Sequence, residues 1–353
     1  MTCTLDIYTD YLISSTGQTS ATGLSRLYDG AISHDQVTRL LTNSYLESKD
    51  LWSKSKPLIR TAEQGKAIDD FAVLIVDDAI LEKAHTDANA MITTHWDHSE
   101  GRFVKGLNFV SLLYQLGPLS LPISVTLIEK TVREWDAKKL QYQFKSEFTK
   151  NEYLQQMLAV AQQQVQYRYL LADSWYASAD NMNYVLGLKH HFIFALESSR
   201  TLALSEMARC QGQFQALDAL AFPDKGALTV YLRSVKEAVQ VVKQVFTNKD
   251  GSQGTLYLVS SDTSLDYERM TTIYQRRWKI EEYHKSLKQN ASMGQSPTKT
   301  PDTQANHFYA SMLAYIKLEV LKIKHSIGHF RLKAQLYAVG LKAMHQQLAL
   351  LST

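Results

Sequence analysis

The chain has 353 residues, 45% hydrophobic and 21% charged, without low-complexity tracts, which excludes disordered and collagen-like chains and suits two or three globular units. A net charge of +3 neither identifies nor excludes a polyanionic partner, because such a partner needs basic surface concentrated locally. Cys3 and Cys210 make no disulfide framework and no cysteine-rich zinc site; MTCTLDIYTD is no secretory signal, and apolar runs such as residues 71–76 are too short for a bilayer, so a reducing, cytoplasmic, nucleoid-associated and membrane-free setting is expected.

Residues 1–65 read as helical. Two apolar-periodic stretches, SATGLSRLYDG and SHDQVTRLLTN, are punctuated by Gly30 and Ser33. Helix, short turn, helix suits either a DNA-reading unit or a plain helical hairpin packed on the rest. At Phe71 the pattern changes. FAVLIVDD is a continuous apolar run ending in Asp77 and Asp78, read as a buried strand whose last residues emerge at a sheet edge. GRFVKGLNFVSLLYQLG and LPISVTLIEKTVRE read as two more strands separated by Gly117-Pro118. Thr149 and Glu152 form a capping box for a helix running to about Gln164. YRYLLADSWY is another buried strand, ending in Asp173. Strand, strand, strand, helix, strand, with acids at strand ends, is the order of an RNase H-like core. From about Phe192 to Val259 further strands interrupt it, with turns at Asp224-Lys225-Gly226 and at residues 248–251. The tail from His307 to Leu350 is helical.

The expected fold is therefore α/β. A helical region (1–65), a candidate for DNA binding, precedes the first part of an RNase H-like core, a mixed sheet with flanking helices (66–191). A β-rich insertion (192–262), a core helix carrying Glu281 (263–300) and a helical C-terminal region (301–353) complete it.

The segment TTIYQRRWKIEEYHKSLKQN carries the sharpest chemical signal. On a helix, with Tyr274 at zero, Arg277 falls at about 300°, Glu281 at about 340° and Lys288 at about 320°. A tyrosine, two cations and one carboxylate on a stripe roughly 60° wide suit holding a phosphate beside a metal ion. Ile273, Ile280, Tyr283 and Leu287 cluster elsewhere on the wheel as a core face. An ordinary amphipathic helix with an Arg277–Glu281 ion pair is the plainer reading.

Three acids thus stand along the chain, Asp77 or Asp78, Asp173 and Glu281, and only the fold can bring them together. Hard oxygen donors of this kind suit Mg2+ or Mn2+, and two such ions serve in-line phosphoryl transfer. Any one of the aspartates, taken singly, reads as a turn former.

The Y-x2-R-x3-E-x6-K spacing of Tyr274, Arg277, Glu281 and Lys288 resembles the signature of IS4-type DDE transposases of bacterial insertion sequences. VLIVDDAILEK resembles their first-aspartate segment, LADSWYASADNMNYVLGLKHHFIFAL the second and IYQRRWKIEEYHKSLKQ the glutamate segment. The likeness spans about residues 70–325. It implies a catalytic, metal-holding triad of Asp77, Asp173 and Glu281. Asp78 is the alternative first acid, because Ala79 stands where the family often has threonine. It implies that Tyr274, Arg277 and Lys288 hold the DNA backbone. Trp175 or Trp278 would stack on a flipped base, against a plainer role as boundary tryptophans packed on the core. It further implies Mg2+ (or Mn2+), transposon-end and target DNA as partners, and a homodimeric synaptic complex. The activity implied is cleavage and strand transfer. A nuclease without joining activity and an inactive DNA-binding descendant are the rivals.

Other features weigh less. THWDHSEGR groups His95, Asp97 and His98, but no second spaced His/Cys pair supports zinc, and a polar loop is expected there. His190-His191 reads as a strand start. His284 and Lys285 flank the catalytic stripe, as phosphate contacts or as a solvated face, and Lys189 and Arg200 are candidates for tracking DNA.

Overall fold

The structure, a computed structural model, describes residues 1–67, 70–97, 100–138, 140–248 and 250–352. Four helices come first: α1 (Leu5–Ser14), α2 (Ala21–Leu27), α3 (His34–Asn43) and α4 (Ser48–Gly65). Strands β1 (Val73–Glu82), β2 (Ile92–Asp97), β3 (Arg102–Leu116) and β4 (Leu119–Ile128) follow, then a separate ribbon of β5 (Val132–Asp136) and β6 (Gln141–Lys145). Helix α5 (Lys150–Gln164), β7 (Tyr169–Ala172), α6 (Ala179–Gly187) and β8 (His191–Leu196) come next. The chain continues through β9 (Thr201–Ala203), α7 (Glu206–Cys210), β10 (Gln215–Ala216), β11 (Ala227–Leu232), β12 (Val239–Thr247) and β13 (Gln253–Ser260). It closes with α8 (Tyr267–Gln275), α9 (Trp278–Gln289), α10 (Pro301–His325) and α11 (His329–Leu351).

Among the described residues, one sheet runs β10-β9-β11-β12-β13-β8-β7-β1-β3-β2, with β4 also on β3. Its centre, β4-β3-β1-β7-β8, is antiparallel on the β3 side and parallel across β1, β7 and β8. With helices packed against it, this is a mixed α/β, RNase H-like arrangement. Where β1 and β7 run side by side both faces are covered: residues 73–76 and Tyr169–Ala172 are all buried, and β1 turns polar only beyond them, at Asp77.

Several local choices explain the elements. Thr149 and Glu152 exchange hydrogen bonds with each other's backbone and start α5. Ser20 and Ser33 cap α2 and α3, and Gly30 turns the chain between them at φ 78. Gly106 of β3 has the Leu81 carbonyl oxygen 2.3 Å from where a Cβ would sit, so glycine alone lets β3 lie this close to β1. Helix α10 is the hub: residues on most of its circumference are buried, and α1, α3, α4, α9, α11 and β4 pack against it. Asn306 of α10 accepts from the Leu46 amide and donates to the Leu41 carbonyl, both at 2.7 Å, fastening the α3 end to the body. No helix among the described residues is long and apolar enough to cross a membrane.

The strands from residue 192 onward continue the same sheet, and β8 is a parallel neighbour of β7. The structure departs from the sequence reading at three places. LPISVTLIEKTVRE splits into β4 and the start of the β5–β6 ribbon. THWD is strand β2, paired with β3, and not a loop; His98 lies outside the described residues, as does Lys249 of the β12–β13 turn. The Tyr274–Lys288 segment is two helices, with Arg276 and Arg277 between them. At that junction, the amides of Arg276, Arg277, Lys279 and Ile280 bond three residues back, so the chain tightens to a 3₁₀-like turn.

Candidate active site

Continuing the β1–β7 register explains how two of the acids meet. The last parallel partners are Ile75 and Leu171. Two residues further on, the same register sets Asp77 beside Asp173, where β7 has ended and β1 continues paired only with β3. The gap between the splaying strands is where side chains can reach solvent. Asp173 caps the 3₁₀ turn that follows β7, accepting from the Trp175 amide at 3.1 Å.

Asp77 and Asp78, as neighbours in a strand, point to opposite faces. Asp78 faces α5 and is fully engaged: its Oδ2 is paired with Lys150 Nζ, and its Oδ1 accepts from the buried Tyr176 hydroxyl at 3.1 Å. Asp77 faces α9. One oxygen of Asp77, one of Glu281 and one ring nitrogen of His284 all lie within 4.8 Å of one another.

Arg276 positions that helix. It donates to the Phe71 carbonyl at 3.1 Å and the Gln115 carbonyl at 2.9 Å, tying the α8–α9 junction to the start of β1 and the end of β3. The core face read from the sequence, Ile273, Ile280, Tyr283 and Leu287, is buried. Glu281 sits in the first turn of α9 and Lys288 in its last, each favoured there by the helix dipole.

Asp77, Asp173, Arg277, Glu281, His284 and Lys288, with Asp78 and Lys150, border one cavity of about 370 Å³. Arg277 reaches Glu281 at 3.4 Å. Burial first, then the charges of Glu281, Asp173 and Asp78, push the Asp77 carboxyl up to about 8, against the pull of Arg277. Burial also raises Asp173, opposed by Arg277. Burial, with Lys288 and Arg277 nearby, pulls His284 down to about 3, so its ring is neutral. The carboxylates crowd beyond what the neighbouring cations offset. A donor set of oxygens with one neutral nitrogen, under that surplus of negative charge, fits a divalent cation.

Other predicted residues fall elsewhere. Tyr274 does not reach into the cavity: it is 9% exposed and its hydroxyl donates to the Ala172 carbonyl at 3.2 Å, bracing the end of β7. Lys285 lies over the Phe330 ring, in a separate groove shared with Trp278, and Glu281 stands on the ridge between that groove and the acidic cavity. Trp175 and Trp278 are 57% and 64% exposed, so neither is packed into the core. Trp175 borders an adjoining cavity with Trp96, His95, Lys130 and Lys150. His95 bonds Thr93 Oγ1 at 2.8 Å.

The sequence reading missed Lys150, Tyr176 and the burial of His284. Lys150 was detectable. A cation at the first position of a helix opposes the dipole and calls for an anionic partner, which Asp78 supplies.

Residues 1–211 match the sequence pattern of the DDE superfamily endonuclease family. The chain belongs to that family. Residues 149–317, which include Asp173 and Glu281, also match the transposase DDE domain, so this is a transposase-like endonuclease. No curated protein matches the chain. Ciona intestinalis endonuclease V, solved with a 24mer DNA containing an inosine followed by a ribo-adenosine, overlaps 77% of this chain and 98% of its own. That overlap has 10% identity and a TM-score of 0.27, a likeness too loose to bear on fold or activity.

Proposed function

We propose that the protein is a DNA transposase of an insertion sequence, of the IS4-like DDE type, that cleaves the ends of its element and joins them to target DNA. The supporting observation is the convergence of Asp77, Asp173 and Glu281, from segments about a hundred residues apart, on one cavity that also presents Arg277 and Lys288. A divalent ion, Mg2+ or Mn2+, would be held by these three carboxylates and would supply Lewis-acid stabilisation of charge on a phosphate oxygen.

The chain's own groups do the rest. Arg277 offers a planar fork and Lys288 a point charge to the scissile phosphate. Asp78 holds Lys150 at the rim, where its ammonium meets the DNA backbone. Tyr274 acts as a positioning residue, fixing the β7 end on which Asp173 sits. The exposed rings of Trp175 and Trp278 are the platforms for an unstacked base. Two DNA ends must be held together for joining, so the working form is a homodimer.

The test uses purified protein, Mg2+ and linear DNA carrying the sequences that flank the coding region. Strand-specific nicks followed by joined products are expected. Nicks without joining reduce the protein to a nuclease, and binding without nicks overturns the catalytic reading.

A further inference from the structure

Glu281 and His284 are three residues apart on α9, a spacing that turns both side chains to one helix face. Glu-x-x-His on an inward helix face is a recurrent way to build a metal site. Here the histidine is conspicuous for what it lacks. It is 7% exposed, yet among the described residues neither ring nitrogen makes a hydrogen bond. Nε2 is sealed from solvent without a partner, and the ring meets Phe109 edge-on. Nδ1 is turned to Asp77 Oδ2 at 3.9 Å, beyond hydrogen-bond length. Burying a polar ring with both nitrogens unused costs free energy, and a packing role alone would be served better by an apolar side chain.

The separations suit a shared ion. With bonds of about 2.1 Å, two ligands on one divalent ion sit about 3–4 Å apart, so the trio needs only a small contraction. We propose that His284 is a nitrogen ligand, through Nδ1, of the divalent ion held by Asp77 and Glu281. This rests on the metal-holding role given to those two carboxylates above. An imidazole donor favours Mn2+ over Mg2+ relative to an all-oxygen set.

The test reads the bond directly. Mn2+ is bound to the full-length protein and examined by electron spin echo envelope modulation, with and without 15N-histidine labelling. A directly bound nitrogen whose modulation changes on labelling is expected. His284→Gln removes it and weakens Mn2+ binding about tenfold. His95→Gln, which removes the histidine of the adjoining cavity, leaves it in place, and Glu281→Gln loses Mn2+ binding. If His284→Gln does not fold, the labelled wild type and His95→Gln still decide. Mn2+ that binds in a Glu281-dependent way without nitrogen modulation overturns the role of His284 and spares the carboxylate site. Modulation that survives in His284→Gln also overturns it. Mn2+ binding indifferent to Asp77→Asn and Glu281→Gln, or absent from the wild type, overturns both.

Discussion

At the scale of single residues, the adjacent aspartates behave as different devices. Asp77 points at α9 with its oxygens uncommitted to any cation, whereas both oxygens of Asp78 are engaged by Lys150 and Tyr176. On the proposed function, Asp77→Asn should lower strand cleavage by about 10²–10⁴-fold, the scale of losing a metal ion's stabilisation of phosphate charge. Asp78→Asn should cost about tenfold, as expected for a supporting group. Comparing single-turnover cleavage rates of the two variants checks this, and equal losses would return the first acid to an open choice. Lys288→Ala should weaken DNA binding and reduce the slope of log affinity against log salt by about one, read from a salt titration. That Asp77, Asp173 and Glu281 stand at element ends or on a helix face was legible, because each follows or sits on an element with a clear period; the structure sets all three on one cavity. The buried state of His284 was not. A helical wheel ranks angles, but it cannot say that Phe109 of β3 closes over that angle.

Between elements, the attachment of α1 to α10 has a titrating fastener. The Tyr8 hydroxyl lies 2.9 Å from His307 Nδ1, and His307 Nε2 lies 3.2 Å from the carbonyls of Ser292 and Met293. Carbonyls only accept, so Nε2 carries the proton and Nδ1 accepts from Tyr8. Burial, aided by the charge of Lys83, holds His307 down at about 4. The unfolded chain, with an ordinary histidine near 6.5, takes up its proton first as pH falls. Stability from this group is thus complete above pH 6.5 and is lost as pH drops towards 4, by about 3 kcal/mol in all. Urea melts between pH 7 and 4.5 should show this decline, and His307→Gln should start less stable and decline less steeply. An unchanged slope in the variant would refute the assignment. The elements themselves were largely readable: the α5 capping box, the β1 run and the α9 core face all follow from period and cap chemistry. The break at Arg276–Arg277 was not, because both residues are good helix formers. What tightens that turn is tertiary, the grip of Arg276 on the Phe71 and Gln115 carbonyls.

For the whole molecule, the joining of core and insertion into one sheet is the property least visible in the sequence. Strand period reveals which face a residue takes and says nothing about which strand lies alongside. Here β8 pairs with β7 on one side and β13 on the other, so no edge separates the two halves. Amide exchange should accordingly report β8, β12 and β13 opening at the same free energy as β1 and β7. Earlier opening of β12 and β13 as a separate unit would contradict this. The exposed apolar side chains of α11, such as Leu341, Met344 and Leu348, stand apart from that unit.

The route of the chain after β13 has a practical corollary. Ser261–Asp266 carry it from the last strand of the added half straight into α8, so the glutamate is suspended from the very strands that look most dispensable. A pruned version that stops the sheet at β8 would keep both aspartates and strip the scaffold that delivers their companion, leaving a well-formed pocket with nothing arriving from the far side.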